Sequence, residues 1–177
     1  DHASGDETGE LLSRLQNVAV ARNAENLGFL RGCNQGAAMA RGRYLLFLNN
    51  DTVMASGCLS ALLGSAEADT RCGAVGGRLI WPDGRLQEAG SILWRDGWAQ
   101  GYGRGQDPYR PEFSYVREID FCSGALLLVR KDLFDRLGGF DVRYAPAYYE
   151  DADLCMEIRR LGYRVLYQPR ALVYHNE

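Results

Sequence analysis

The chain has 177 residues, 46% of them hydrophobic, and a formal net charge of -3 at pH 7. That length supports one domain with a real core. The mildly acidic balance argues against a dedicated nucleic-acid binder, and no apolar run approaches the roughly 20 residues needed to span a bilayer.

In chain order, Asp1-His-Ala-Ser4-Gly-Asp6-Glu-Thr8 is a polar opening with no strand before it, which reads as an N-terminally truncated chain. Thr8 or Asp6 can cap a short helix carrying Leu11, Leu12 and Leu15. Asn17 to Ala21 reads as a short strand. Phe29, Cys33, Ala37 and Ala40 fall at helical spacing, so a helix is predicted from Phe29 to Ala40. Tyr44 to Leu48 reads as a fully buried strand, ending abruptly in Asn49, Asn50 and Asp51. A core strand that delivers oxygen ligands at its C-terminal end suits a metal or a phosphate-bearing ligand, although Asn and Asp also favour plain turns.

Gly57 to Glu67 has the pattern of a helix with Leu59, Leu62 and Leu63 inward, and Gly73 to Ile80 that of a strand. Trp81-Pro-Asp-Gly84 is a turn in which Pro presets one dihedral angle and Gly supplies a positive one. Leu86 to Trp94 looks extended. Residues 95–115, rich in Gly, Pro and aromatics, read as a long loop of the kind used for lids. Ala125 to Arg130 is a strand, Lys131 to Leu137 a helix ended by Gly138-Gly139, and Glu150 to Leu161 a helix with Gly162 just past its end. Arg164 to Tyr167 and Ala171 to Tyr174 are terminal strands. Strands alternating with helices in the first half favour a parallel α/β sheet, with antiparallel pieces added later.

Two further sites invite chemistry. Glu150, Asp151 and Asp153 crowd the first turn of a helix, where the helix dipole alone would favour them. Three aromatics, Tyr144, Tyr148 and Tyr149, precede them, and aromatic faces stack on sugar rings while a neighbouring carboxylate can take a proton from a hydroxyl. His175 follows an apolar strand near the C-terminus, a place where histidines are more often structural than ligating. The five cysteines are odd in number and lack a C-x-x-C, which reads as reduced core thiols and a cytoplasmic setting.

Asp1-x-x-Ser4-x-Asp6, Asn26-Leu-Gly-Phe29, Asn34-Gln-Gly36, Ala40-Arg-Gly42, Leu46-Phe-Leu-Asn-Asn-Asp-Thr52, Cys122-Ser-Gly-Ala125, Gly138-Gly-Phe-Asp141 and Glu150-Asp151 occur in one order. Together they resemble the GT-A glycosyltransferases of family 2, in the rhamnosyltransferase-like branch of bacterial surface-polysaccharide enzymes. The resemblance covers essentially the whole chain. It implies one catalytic domain over residues 1–177. The implied fold is an α/β, Rossmann-like GT-A mixed sheet flanked by helices and lacking its first strand or strands, whose open sheet edge would favour dimerisation or strand exchange.

The resemblance implies that Asp151 is the catalytic base, beside Glu150 in the same motif. It implies that Asp51 holds a divalent cation, Mg2+ or Mn2+, on the donor diphosphate, with His175 approaching it. Donor-binding residues would be Asp1, Ser4, Asp6, Asn26, Gly28, Asn34, Asn50 and Gly124, and Tyr148 and Tyr149 would meet the acceptor. The expected partners are a nucleotide-diphosphate sugar and a glycan or lipid-linked acceptor, with membrane association a property of the full-length protein. The activity implied is inverting sugar transfer. Asn49 and Asn50 depart from the pattern, standing where many members are acidic, and His2 replaces a more usual Asn. A non-catalytic module of the same fold that binds sugar or a partner, and a nucleotidyltransferase, are the alternative readings.

Overall fold

The structure, a computed structural model, describes residues 1–176. Its elements are α1 (Thr8–Arg14), α2 (Gly28–Met39), β1 (Tyr44–Leu48), β2 (Thr52–Met54), α3 (Cys58–Ala68), β3 (Cys72–Ile80), β4 (Leu86–Ala89), β5 (Ser91–Leu93), β6 (Ala99–Gly101), β7 (Arg117–Glu118), β8 (Leu126–Arg130), α4 (Lys131–Leu137), α5 (Glu150–Arg160) and β9 (Arg164–His175). Single 3-10 turns lie at Pro111–Phe113 and Val142–Tyr144.

One mixed sheet runs in the order β1-β8-β3-β9-β2, with β4 added to β3 and β7 to β9, while β5 and β6 form a separate hairpin. Both faces are covered, and the alternation of side chains along each strand shows it. On β8, Leu127 and Val129 join a core with Leu30, Phe47, Phe134, Phe140, Leu154 and Ile158. Leu126 and Leu128 point the other way, to Cys58, Leu62, Leu79 and Val173. All nine residues of β3 are therefore buried. Gly76 is demanded there, because a Cβ would stand 2.2 Å from Cys122 Cβ. Close approach at this point lets the chain before β8 lie against the sheet.

Several expectations need correction. β1 is an edge strand with alternating rather than complete burial, and its neighbour β8 is antiparallel, so the first half does not form a parallel sheet. The parallel pair is β3 with β9. Strand–helix alternation in sequence misleads here because β8, which arrives late in the chain, inserts between β1 and β3. Residues 17–21 do not form a strand; only an isolated bridge joins His2 to Asn23, and Val18 and Val20 stay exposed. The two terminal strands are one continuous β9, with an irregularity where Gln168 gives way to Leu172 in the pairing with β3. Leu59 faces outward, and Cys58 and Ala61 take the inward positions on α3. The segment 95–115 is mostly exposed, but it is not all loop: it carries β6 and a buried Phe113 whose carbonyl accepts from Arg78 Nη2 (2.7 Å) and Tyr167 Oη (2.9 Å).

The Trp81–Gly84 turn forms as expected. Gly84 N donates to Trp81 O at 2.9 Å, Gly84 has φ +85°, and the chain reverses so that β4 lies antiparallel to β3.

The topology brings the C-terminal ends of β1 and β9, the chain entering β8, the strand β4 and the N-terminus of α5 to one end of the sheet. A cleft of about 530 Å³ opens there.

Candidate active site

At the end of β1 the chain turns sharply. Thr52 N and Oγ1 both donate to Asn49 O, at 3.3 and 2.6 Å. β2 then pairs Thr52 with His175 of β9, which sets Asp51 beside His175. Asp51 Oδ1 lies 3.3 Å from His175 Nε2. His175 is buried, and its Nδ1 is 2.9 Å from Gln87 Oε1. A carboxamide oxygen only accepts, so Nδ1 carries a proton, and in the neutral form of the ring Nε2 is then a lone pair beside Asp51. Asp51 Oδ1 is itself buried without a hydrogen-bond donor. Two acceptors facing each other at this distance fit a shared cation, and a hard carboxylate with an imidazole suits Mg2+ or Mn2+. Among the described residues no cluster of three His, Cys, Asp or Glu side chains forms a cage. A cation here would therefore draw its remaining ligands from a bound diphosphate and water.

The start of α5, at Glu150 and Asp151, lines the same cleft. Asp151 Oδ2 accepts Gly124 N at 3.0 Å and Oδ1 accepts Ala152 N at 2.7 Å. Burial pushes the Asp151 carboxyl above its ordinary range, and the two amides pull part of the way back. Glu150 is buried with Oε2 unpartnered, and burial followed by the charge of Asp151 pushes it upward as well. One carboxylate is thus anchored and able to take a proton, and its neighbour is disposed to hold one.

Tyr148 and Tyr149 precede this helix with φ of +81° and +70°. Left-handed backbone costs bulky side chains about 1–3 kcal/mol each, and such strain gathers at functional sites. Tyr149 Oη donates to Gly97 O at 2.8 Å, tying this corner to the tip of the β5–β6 hairpin, where Trp94 and Trp98 are exposed. Tyr148 is 80% exposed at the cleft mouth, free to stack on a ring.

The cleft thus gathers Asp51, His175, Gly124, Tyr148, Tyr149, Glu150 and Asp151. The other expected residues lie outside its lining. Asn50 stands on the exposed turn, and its neighbour Asn49 faces His175, with Nδ2 at 3.4 Å from Nε2. Asp1 is paired with Arg22 Nε at 3.1 Å and accepts Ser4 N at 3.2 Å. Asp6 accepts Thr8 N at the start of α1, and Asn26 accepts Gly28 N at the start of α2. Asn34 clamps both backbone groups of Phe140, at 2.8 and 2.9 Å.

Gln87, Glu88, Ser91, Arg104 and Phe29 also line the cleft, and sequence reasoning did not single them out. A signal existed. Successive strand residues face opposite sides, so a polar pair such as Gln87-Glu88 on a sheet covered on both faces must turn at least one polar group inward. A wider depression of about 870 Å³ lies beside α5 and β9. Three of its four arginines, Arg159, Arg160 and Arg164, are already paired with Asp120, Glu157, Asp69 and Glu118.

Comparison with known proteins bears on this cleft. The model of a family described as "Glycosyl transferase family 2" matches residues 1–138. The O-antigen biosynthesis protein RfbC of Myxococcus xanthus is 31% identical over 151 residues, covering 81% of this chain and 12% of that protein. The N-acetylglucosaminyl-diphospho-decaprenol L-rhamnosyltransferase of Mycobacterium tuberculosis is 29% identical over 205 residues, covering 100% of this chain and 65% of that protein. The chain spans less than two thirds of the length of either relative. Among solved structures, GalNAc-T7 with UDP, GalNAc and Mn2+ superposes with a TM-score of 0.76 at 19% identity, covering 97% of this chain and 35% of that one.

Proposed function

The chain belongs to glycosyl transferase family 2, and from that premise we propose that it forms the catalytic centre of an inverting, metal-dependent glycosyltransferase. The donor would be a nucleotide-diphosphate sugar, and the acceptor a hydroxyl on a glycan or lipid-linked saccharide of surface-polysaccharide synthesis. The observation that carries this reading is that one cleft is lined by two differently built sites. Asp51 and His175 face each other in one, and Asp151 is anchored in the other.

The division of labour follows from charge. Breaking a nucleotide–sugar bond leaves negative charge on the diphosphate, and a divalent cation held by Asp51 and His175 would neutralise it. Asp151 removes the proton of the attacking hydroxyl. Its raised proton affinity makes it a better base than a solvated aspartate, and the Gly124 and Ala152 amides keep its oxygens aimed while it works. Attack opposite the leaving group inverts the anomeric centre. Tyr148 and Tyr149 offer ring faces at the mouth, where an acceptor sugar enters.

The test is turnover of nucleotide-diphosphate sugars by the full-length protein. Chelation of divalent cations should abolish transfer. Asp151→Asn should lower kcat by about 10²–10⁴-fold, the usual contribution of a positioned base, with the thermal transition retained. Transfer that survives in Asp151→Asn would remove the base from this scheme. Tight sugar binding by calorimetry, independent of metal and without turnover, would favour a non-catalytic binding module.

A further inference from the structure

The buried carboxyl of Glu88 on β4 has no task in the scheme above. Glu88 lines the cleft and is covered by the β5–β6 hairpin so closely that a Cβ on Gly101 would stand 2.8 Å from Glu88 Cβ. Its Oε1 accepts Ser123 N at 3.2 Å and its Oε2 accepts the hydroxyl of Ser91 at 3.0 Å. The next amide along the chain, Gly124 N, is the one held by Asp151 Oδ2 at 3.0 Å. Two successive amides of one turn are thus gripped by two carboxylates from different elements, β4 and α5. The turn is closed from within by Ala125 N donating to Ser123 Oγ at 3.2 Å.

We propose that Glu88 is a positioning residue for Asp151: it fixes the Ser123–Gly124 turn against which Asp151 is aimed, and its negative charge strengthens Asp151 as a proton acceptor. This rests on the reading of Asp151 as the base.

The electrostatic surroundings agree with that geometry. Burial lifts the Glu88 carboxyl to about 7, opposed by its hydrogen bonds from Ser123 and Ser91. Among charged neighbours, Asp151 on α5 raises it and Arg104, from the segment after β6, lowers it. Cys122, one residue before Ser123, and Tyr167 on β9 both feel the Glu88 charge. The Asp151 charge is one of the smaller contributions at Glu88, and the coupling is mutual, so ionisation of Glu88 raises the proton affinity of Asp151. Below about 7, a protonated Glu88 can donate to Ser91 Oγ, so the contact persists with its direction reversed.

The experiment measures kcat and donor KM against pH for the full-length protein and for Glu88→Gln, Glu88→Ala and Asp151→Asn. The glutamine keeps an oxygen for Ser123 N, turns an amide N–H toward Ser91 Oγ in place of Oε2, and removes the charge. Its kcat profile should lose the step near 7 and keep the acid limb of Asp151 in place, with donor KM within about twofold of the parent. The alanine also releases the turn, and kcat should fall about 10–100-fold, as misplacing a reacting group does. A Glu88→Gln profile that superimposes on the parent overturns the proposal, and Glu88 is then an anchor of the turn only. If Glu88→Ala does not fold, the glutamine profile alone decides. An inactive Asp151→Asn beside an unmoved Glu88→Gln profile refutes this inference and leaves the base assignment standing. An active Asp151→Asn refutes both.

Discussion

The segment before α2 and the carboxylate end of the sheet are held by different forces. α1 buries none of its residues, and Leu11, Leu15, Val18 and Val20 are exposed. What order the segment has comes from polar contacts. Asp1 pairs with Arg22. His2 lies against Asn23, which exchanges two amide hydrogen bonds with Gln35 on α2 at 2.8 and 2.9 Å. The carboxylate end instead hangs on the fully buried strands β3 and β4, and most of its polar groups meet backbone amides or one another, while Asp51 Oδ1 and Glu150 Oε2 are buried without a partner. Surface polar contacts contribute little and bend easily, whereas buried polar networks are costly to disturb and define one geometry. Substitutions of similar chemistry should therefore have unequal effects at the two places.

The largest effect is expected at Gln87, whose side-chain oxygen orients His175. Gln87→Leu removes the acceptor for Nδ1–H and releases the imidazole to rotate or change tautomer. Loss of such an outer partner usually costs about 10–100-fold in metal affinity. The expected outcome is a rise of that size in the Mn2+ concentration needed for half-maximal transfer, with donor-saturated kcat restored at high Mn2+. A metal requirement that does not move would show that His175 stands apart from the cation. The sheet end would then resemble the N-terminal segment more closely than its burial suggests.

Asn34 lies between the two regimes. It is on α2, part-buried, and its carboxamide satisfies both the N–H and the C=O of Phe140, which packs in the core with Phe47 and Phe134. Asn34→Ala leaves two backbone groups without their partner, which costs on the order of 1–2 kcal/mol. Chemical denaturation should show the midpoint falling with the slope unchanged. The loss should appear in stability, with kcat and donor KM near the parent's. A selective rise in donor KM at unchanged stability would instead give Asn34 the donor contact that the motif resemblance implies.

These contrasts also explain what could be read from the sequence. The helices α2, α4 and α5 and the strands β3 and β8 follow from periodicity and from glycines past their ends, because each is fixed by residues within itself. The partner of β1 could not be read, since β8 is some eighty residues later and nothing in Tyr44–Leu48 states its neighbour's direction. The apparent strand at 17–21 failed for the opposite reason: its apolar run from Val18 to Ala21 is genuine, but no ladder forms beside it. At the site, Asp51, Asp151 and His175 were legible because they end or begin core elements. Gln87 and Glu88 were not picked out because a buried polar pair within a strand looks like an exposed one until both faces of the sheet are known to be covered.

The smallest effect is expected at Arg22. Asp1 is almost fully buried in its side chain, but Arg22 is more than half exposed, and the carboxylate also accepts Ser4 N. Arg22→Ala leaves Asp1 one amide donor but removes the guanidinium that lies against its Oδ2, so water can take that place and the global cost should stay below about 1 kcal/mol. The change should be local, with faster amide hydrogen exchange at Ser4 and Asn23, whose amides donate to Asp1. Asp1 is the residue the resemblance assigns to the donor nucleoside, and a nucleoside contact there has to share or displace the guanidinium. If Asp1 does meet the donor, removing Arg22 alters donor KM and leaves kcat and the metal requirement alone. A fall in kcat comparable to that of a sheet-end variant would mean that this polar, exposed segment is coupled to the base and the metal as rigidly as the core strands are. The contrast between the two regions would then fail at its weakest joint.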